Sequence, residues 1–215
     1  MDAPGLADLW VAELGRLVAR AAHELNNALN GAAMNLEVVR LRAVAGRDAG
    51  AVAPFAAAAV AEQEQMAALA GAIVALGRTP RVGHPADVRE ALGHTATLLG
   101  AVVRHHGVTI DGVTGDPAPT AAPAHAARLA VAWALGLAAE AARGAQTADA
   151  GDRSGVVGCK LVADGNGSRG AALTVAPRPA PYPAVPDDPV PAVLAAHGIQ
   201  AAADGVALRL TFPAP

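Results

Sequence analysis

The sequence predicts an α+β fold, in which an N-terminal antiparallel helical hairpin precedes an α/β sandwich. Two observations support this prediction. Apolar residues recur in alternating steps of four and three over residues 5–45 and again to about Leu76, which is the spacing of helices packed along a seam. From Val88 onward, helical stretches alternate with short β-branched runs such as Val108-Thr109-Ile110. The chain has 58 alanines among 215 residues, so its helices are expected to pack closely.

The first helix is predicted over residues 5–45, and a turn at residues 46–50 leads into a second helix. We expect Pro54 in the first turn of that second helix, where proline is tolerated. A short turn between two long helices predicts an antiparallel hairpin. Its alanine-rich seams leave an apolar stripe uncovered, so we expect pairing with a second copy into a dimeric four-helix bundle. The seam of the first helix is Leu14, Val18, Ala21, Leu25, Ala28, Ala32 and Val39, with Leu36 nearby.

The remaining elements follow from the same patterns. Residues 1–78 are assigned to the hairpin, 79–87 to a linker and 88–215 to the sandwich. The stretch 177–191 contains seven prolines and is expected to be extended or irregular. Helices are predicted from Val88 to Val102, over 125–143 and over 190–197. Strands are predicted over 108–110, 156–163, 171–176 and 206–212.

Composition excludes several classes of function. The net charge is −3 and lysines and arginines do not cluster, which argues against a nucleic-acid partner. A single cysteine, Cys159, rules out a disulfide framework and a cysteine-based zinc site, and its apolar neighbours predict burial. No uncharged apolar run reaches the roughly 18 residues of a membrane span. No secretory signal is evident, so we expect a cytoplasmic protein without membrane partners.

The chemically informative segment runs from Ala21 to Asn30. His23 lies two positions from both Ala21 and Leu25, about 200° around a helix from each, so it points away from the seam. A lone exposed histidine is usually an ordinary surface residue, but three asparagines in five positions weaken the helix with no packing gain. A deprotonated imidazole is a nucleophile at neutral pH, and Glu24 could hold one of its ring nitrogens. The polar stripe around His23 contains Arg16, Arg20, Asn27 and Asn30, with Asn26 beside it.

The run His23-Glu24-Leu25-Asn26-Asn27 resembles the H box of sensor histidine kinases, whose pattern is His-Glu-x-x-Asn/Thr followed by Pro-Leu. The resemblance implies that His23 accepts a phosphoryl group and that Glu24 assists as acid or base. It also implies that Asn27 positions water or the active site of the partner. Ala28 replaces the usual proline. The residues expected to contact the partner are Arg16, Arg20, Asn26 and Asn30.

The second half resembles the ATP-binding domain of the same family at both ends, over 88–112 and 197–213. Its nucleotide motifs are missing or displaced. The helix at the position of the asparagine box contains no asparagine, and Glu140 is its only polar candidate. The strand from Ala171 ends in Ala176-Pro177 rather than in Asp-x-Gly-x-Gly. The run from Asp164 to Gly167 fits either a hairpin turn or a displaced glycine box. ATP therefore has little to bind.

These features predict a dimeric histidine phosphotransferase with a degenerate ATPase-like domain. It would move a phosphoryl group between receiver-domain aspartates through His23, with no cofactor of its own and with Mg²⁺ held by the receiver. The expected partners are a second copy, response-regulator receiver domains and an upstream hybrid histidine kinase. Two alternatives stay open: an ATP-dependent sensor histidine kinase with a diverged nucleotide site, and a non-catalytic dimer that binds a response regulator. His105-His106 is expected to be solvated surface rather than a metal site.

Overall fold

The structure is a computed structural model that describes residues 5–80, 84–148, 154–163, 170–183 and 188–215. Two long helices, α1 (Leu6–Val44) and α2 (Ala49–Gly77), precede a mixed sheet with its own helices, so the α+β class is confirmed. None of the helices in these ranges combines the length and the apolar content that a membrane crossing demands.

Helices α1 and α2 pack against each other as a hairpin. Asp48 caps α2 by accepting a hydrogen bond from the Ala51 backbone N–H at 2.8 Å, as expected for a residue that precedes a helix. Beside this turn, Arg42 Nη1 donates to the Ala51 carbonyl at 2.6 Å. The position predicted for Pro54 was wrong. Pro54 is the sixth residue of α2 rather than part of its first turn, so the helix lacks a backbone N–H donor at this position.

The second half contains a five-stranded sheet in the order β2-β4-β5-β7-β6. The β2–β4 pair is parallel, and the other three neighbouring pairs are antiparallel. Strands β1 and β3 form a separate two-stranded ladder. The elements are β1 (Ala86–Asp87), α3 (Val88–Arg104), β2 (Val108–Asp111), β3 (Pro119–Thr120), α4 (Ala124–Ala148), β4 (Gly155–Ala163), β5 (Ala171–Arg178), α5 (Val190–Ala196), β6 (Gln200–Ala203) and β7 (Leu208–Thr211).

Sequence patterns found most of these elements, with differences at the edges. β5 alternates buried and half-buried residues from Ala171 onward, as a strand with one face on the core should. Cys159 in β4 is buried, as predicted. The short strands β1, β3 and β6 were missed because each has at most four residues and no alternation of its own. The run from Asp164 to Gly167, predicted as a hairpin turn or a displaced glycine box, lies outside the described residues.

Helices α3 and α4 lie between the sheet and the hairpin. α4 contacts β4 and β5, while α1 contacts both α3 and α4, and α2 contacts α3. One continuous apolar core therefore runs from the sheet into the hairpin. Arg128 of α4 reinforces this junction, because its Nη1 donates to the Leu76 carbonyl at 3.0 Å and to the Arg78 carbonyl at 2.7 Å. These are carbonyls at the end of α2, which lack partners within the helix.

The junction divides the hairpin into two parts. The docked half comprises α1 up to Ala28 and α2 from Leu69 onward, and it contributes Trp10, Leu17 and Leu76 to the common core. The free half comprises α1 from Leu29 and α2 up to Met66. Part of the predicted seam is therefore buried against α3 and α4, which the sequence did not predict. In the docked half, helices of the same chain pack where a second copy was expected.

Candidate active site

His23 lies exposed in the docked half of α1, on the opposite side from the buried Ala21 and Ala28. The helix that carries it runs unbroken for 39 residues, which gives the imidazole a rigid base. The surrounding polar side chains of the stripe are exposed as well. These exposed neighbours are Arg16, Arg20, Asn26, Asn27 and Asn30.

Both arginines of the stripe have acidic partners. Arg16 lies 2.6 Å from Glu13, one turn earlier on the same helix. Arg20 reaches across to α4, where its Nη2 lies 3.1 Å from Glu140 Oε1. Glu140 is the side chain that the kinase resemblance offered in place of the asparagine box. Its observed contact is with the hairpin.

Burial affects Glu13, the acidic partner of Arg16 at the N-terminal end of the stripe. Desolvation raises the pKa of the Glu13 carboxyl above its ordinary value, with Glu140 and Asp188 adding to the effect and the two arginines opposing it. Asp188 itself accepts from the N–H of Val190, the first residue of α5, at 2.8 Å and from Trp133 Nε1 at 2.6 Å. This acidic residue therefore ties the start of α5 to α4.

Glu24 is placed differently from what its neighbour His23 suggested. Adjacent residues of a helix project about 100° apart, so Glu24 turns toward the interior while His23 faces solvent. Its side chain is 5% exposed, and its Oε2 lies 2.7 Å from Nε2 of His105. Among the residues that the structure describes, Glu24 is the buried residue with a carboxyl side chain. The expectation that it holds a ring nitrogen of His23 is replaced by this contact with His105.

His105 is the residue that sequence reasoning missed. It follows the last residue of α3, where the next residue, His106, donates its backbone N–H to the Val103 carbonyl at 2.9 Å, and the His105 side chain extends toward α1. The ring is largely exposed, as predicted, but it is not merely solvated, because it holds the buried carboxylate. A sequence signal existed on α1. Glu24 falls on the row Leu17, Ala21, Ala28 and Ala32, at the steps of four and three that define the buried face.

The described residues also bear on metal and nucleotide chemistry. Within them, no group of three or more His, Cys, Asp or Glu side chains is placed to hold a metal ion. β5 continues through Pro177 to Arg178, paired with β4, at the place where the first glycine box was expected. The displaced candidate, Asp164 to Gly167, lies outside the described residues.

An apolar groove lies on the free half of the hairpin, apart from His23. It has a volume of about 430 Å³ and is bounded by both helices. Leu29, Leu36 and Val60 each leave more than half of their surface exposed there, at 55%, 56% and 53%. The other lining residues are Ala32, Ala33, Ala56, Ala59, Gln63 and Met66.

No model of a known protein family matches the chain, and no curated protein matches it either.

Proposed function

We propose that this chain is a histidine phosphotransferase of the phosphorelay type. His23 takes a phosphoryl group from the aspartate of one receiver domain and passes it to the aspartate of another. The observation that supports this most is the placement of His23, exposed at the centre of an asparagine-rich stripe on a helix whose opposite face is buried. A docking protein can reach the ring and find asparagine amide donors and acceptors on the C-terminal side of it.

The transfer step needs only groups that the two proteins supply. A ring nitrogen of neutral His23 attacks the phosphorus of an aspartyl phosphate with its lone pair. The N–P bond forms as the P–O bond breaks, the carboxylate leaves with that electron pair, and the other ring nitrogen releases its proton to solvent. The second transfer runs in reverse, with a receiver carboxylate as the nucleophile. Mg²⁺ held by the receiver offsets the phosphoryl charge, and this chain contributes positioning.

The proposal includes a homodimer formed through the free half. A second copy fits the groove there because its walls are alanines and exposed leucine and valine side chains, which allow two hairpins to approach closely. The docked half already has its cover in α3 and α4. We therefore place the interface between copies beyond His23, toward the turn that joins α1 to α2.

Sedimentation velocity tests this interface with a matched pair of variants on α2. Val60→Glu places a charge in the groove and should convert the dimer to a monomer. Val74→Glu has nearly the same starting exposure, 52% against 53%, but lies outside the groove and should remain dimeric. A wild-type chain that sediments as a monomer at all concentrations would remove the dimer from the proposal.

Label transfer tests the activity. Isolated receiver domains are phosphorylated with acetyl [³²P]phosphate, cleared of donor, and mixed with the chain. We expect acid-labile, base-stable label on the wild type, as phosphohistidine requires, and none on His23→Ala. His106→Ala, an exposed histidine at the end of α3, is the matched control and should take label normally. Label on His23→Ala would assign the acceptor elsewhere.

A second candidate is a binding module without transfer, which holds a receiver through the same stripe. The contact between Glu24 and His105 favours it, because the carboxylate that the kinase resemblance assigns to acid–base work faces away from His23. The two functions separate in one experiment. A receiver that binds the chain with micromolar affinity and keeps its label would support binding alone.

A further inference from the structure

The pair formed by Glu24 and His105 joins the hairpin to the end of α3, and Glu24 is next in sequence to the proposed phosphoacceptor His23. Glu24 follows His23 in the chain, and its carboxylate is almost fully enclosed. His105 comes from the end of α3, 81 residues later, and leaves 61% of its side chain exposed. The Glu24 carboxylate is thus cut off from water, while the His105 ring can exchange protons with water.

A buried carboxylate without a partner is costly, and a protonated imidazole is its natural complement. Few other charges surround this pair. Arg20, one turn before Glu24, is occupied by Glu140 at 3.1 Å. The stretch of α2 from residue 65 to Gly77 contains no charged residue. The remaining titratable or charged groups on the neighbouring stretches of α1 and α3 are His23, Arg104 and His106.

The charge of this pair matters because a phosphoryl group on His23 adds negative charge next to Glu24. An ionised Glu24 opposes that addition by Coulomb repulsion. A protonated His105 cancels the charge of Glu24 and removes the opposition. Its hydrogen bond also keeps the carboxylate turned toward α3, so the carboxylate does not compete with an incoming phosphoryl group for the His23 ring.

We propose that His105 is a positioning residue for the site at His23, holding Glu24 away from the ring and offsetting its charge when the phosphoryl group arrives. This inference rests on the proposed phosphotransfer function. It gives the second half of the chain a part in the reaction that does not depend on binding a nucleotide. It also makes the share of phosphoryl group on His23 depend on the protonation of His105.

The test measures the equilibrium ratio of phosphohistidine to receiver aspartyl phosphate between pH 5.5 and 8, the range in which histidine changes charge. His105→Gln keeps an N–H donor but carries no charge, and His106→Gln is the neighbouring control. Relative to the control, we expect His105→Gln to lower the ratio about three- to tenfold at the acid end, with a smaller difference at the alkaline end, where imidazoles lose their charge. Any pH effect from His23 itself or from the receiver cancels in this comparison.

A permanent charge gives the complementary result. His105→Lys should keep the ratio high across the whole range, because its ammonium stays charged up to pH 8. A merely structural contact would make both substitutions act alike at every pH. His105→Gln and His106→Gln profiles that coincide while the wild type accepts label would overturn this inference alone. A wild type that takes no label from any receiver would overturn the proposed function, and this inference with it.

Discussion

The docked and free halves of the hairpin have similar compositions and different surroundings. Both are rich in alanine, and both present leucines at helical spacing. In the docked half, Leu17 and Leu69 are 2% and 1% exposed because α3 and α4 cover them, whereas in the free half Leu36 is more than half exposed. The comparison shows that periodicity reveals an apolar stripe but not its cover. One stripe meets the same chain at one end, and we propose that it meets a second copy at the other.

The largest expected effect contrasts two leucines of α1. Leu17→Ala should lower the free energy of unfolding by about 2–5 kcal/mol, because it removes buried methyl groups and leaves a cavity. Leu36→Ala should cost below about 1 kcal/mol in the monomer, since that side chain is already largely in water. Urea unfolding at a concentration that keeps the chain monomeric measures both. Equal losses would contradict the division into halves.

A smaller effect is expected at the junction itself. Arg128→Ala removes both hydrogen bonds to the carbonyls at the end of α2 and should cost about 1–3 kcal/mol. Hydrogen exchange should show the loss of protection in the last turns of α2 and not near its start. Arg89→Ala is the control, because the Arg89 Nε bond to the Gly115 carbonyl lies wholly within the second half. Uniform loss of protection along α2 would contradict the local role of Arg128.

A still smaller effect is expected from the ion pair that links α1 to α4 near His23. A double-mutant cycle on Arg20 and Glu140 should give a coupling energy below about 1 kcal/mol, because both side chains are about half exposed. Arg40 and Glu37 form a comparable exposed pair within the free half, at 2.6 Å. Their cycle should give a similarly small value. A coupling of several kcal/mol at Arg20 alone would indicate that this contact, rather than the apolar core, holds the hairpin on α4.

The smallest effect is a pH dependence at Glu13. Burial raises the pKa of its carboxyl in the folded state, so the folded chain holds that proton more tightly than the unfolded chain does. Below about pH 4.5 the Glu13 carboxyl is protonated in both the folded and the unfolded chain, so there is no buried charge to destabilise the fold. As pH rises through the folded-state pKa, the buried carboxylate of the wild type becomes charged and lowers its free energy of unfolding, whereas Glu13→Gln has no charge to bury. The melting temperature of Glu13→Gln should therefore gain on the wild type from pH 4 to pH 7, and a constant difference would contradict this.

The sequence predicted the elements whose signals are local. The two long helices, α3, α4 and the central strands follow from hydrophobic period, and Asp48 was readable as part of the turn that opens α2. The packing of the hairpin on α3 and α4 could not be predicted, because an apolar stripe does not specify its partner. The contact of Glu24 with His105 joins positions 81 residues apart, and its local signal was the position of Glu24 on the buried row.

The site divides in the same way. The exposure of His23 and of its polar neighbours follows from their angle to the seam, which sequence position alone supplies. The partners of Arg20 and Glu24 come from α4 and the end of α3, so only the assembled fold could identify them. Residue-type reasoning paired Glu24 with the nearest histidine in sequence. The fold pairs it with the nearest histidine in space.

The length of α1 has a mechanical consequence. A helix of 39 residues extends about 58 Å, and no proline interrupts this one. His23 lies near its middle, between an end anchored in the core and an end that projects beyond it. His23 lies between Arg20, which is bonded to Glu140 of α4, and Glu24, which is bonded to His105 at the end of α3. A load on the projecting end therefore meets these two contacts before it can turn the imidazole.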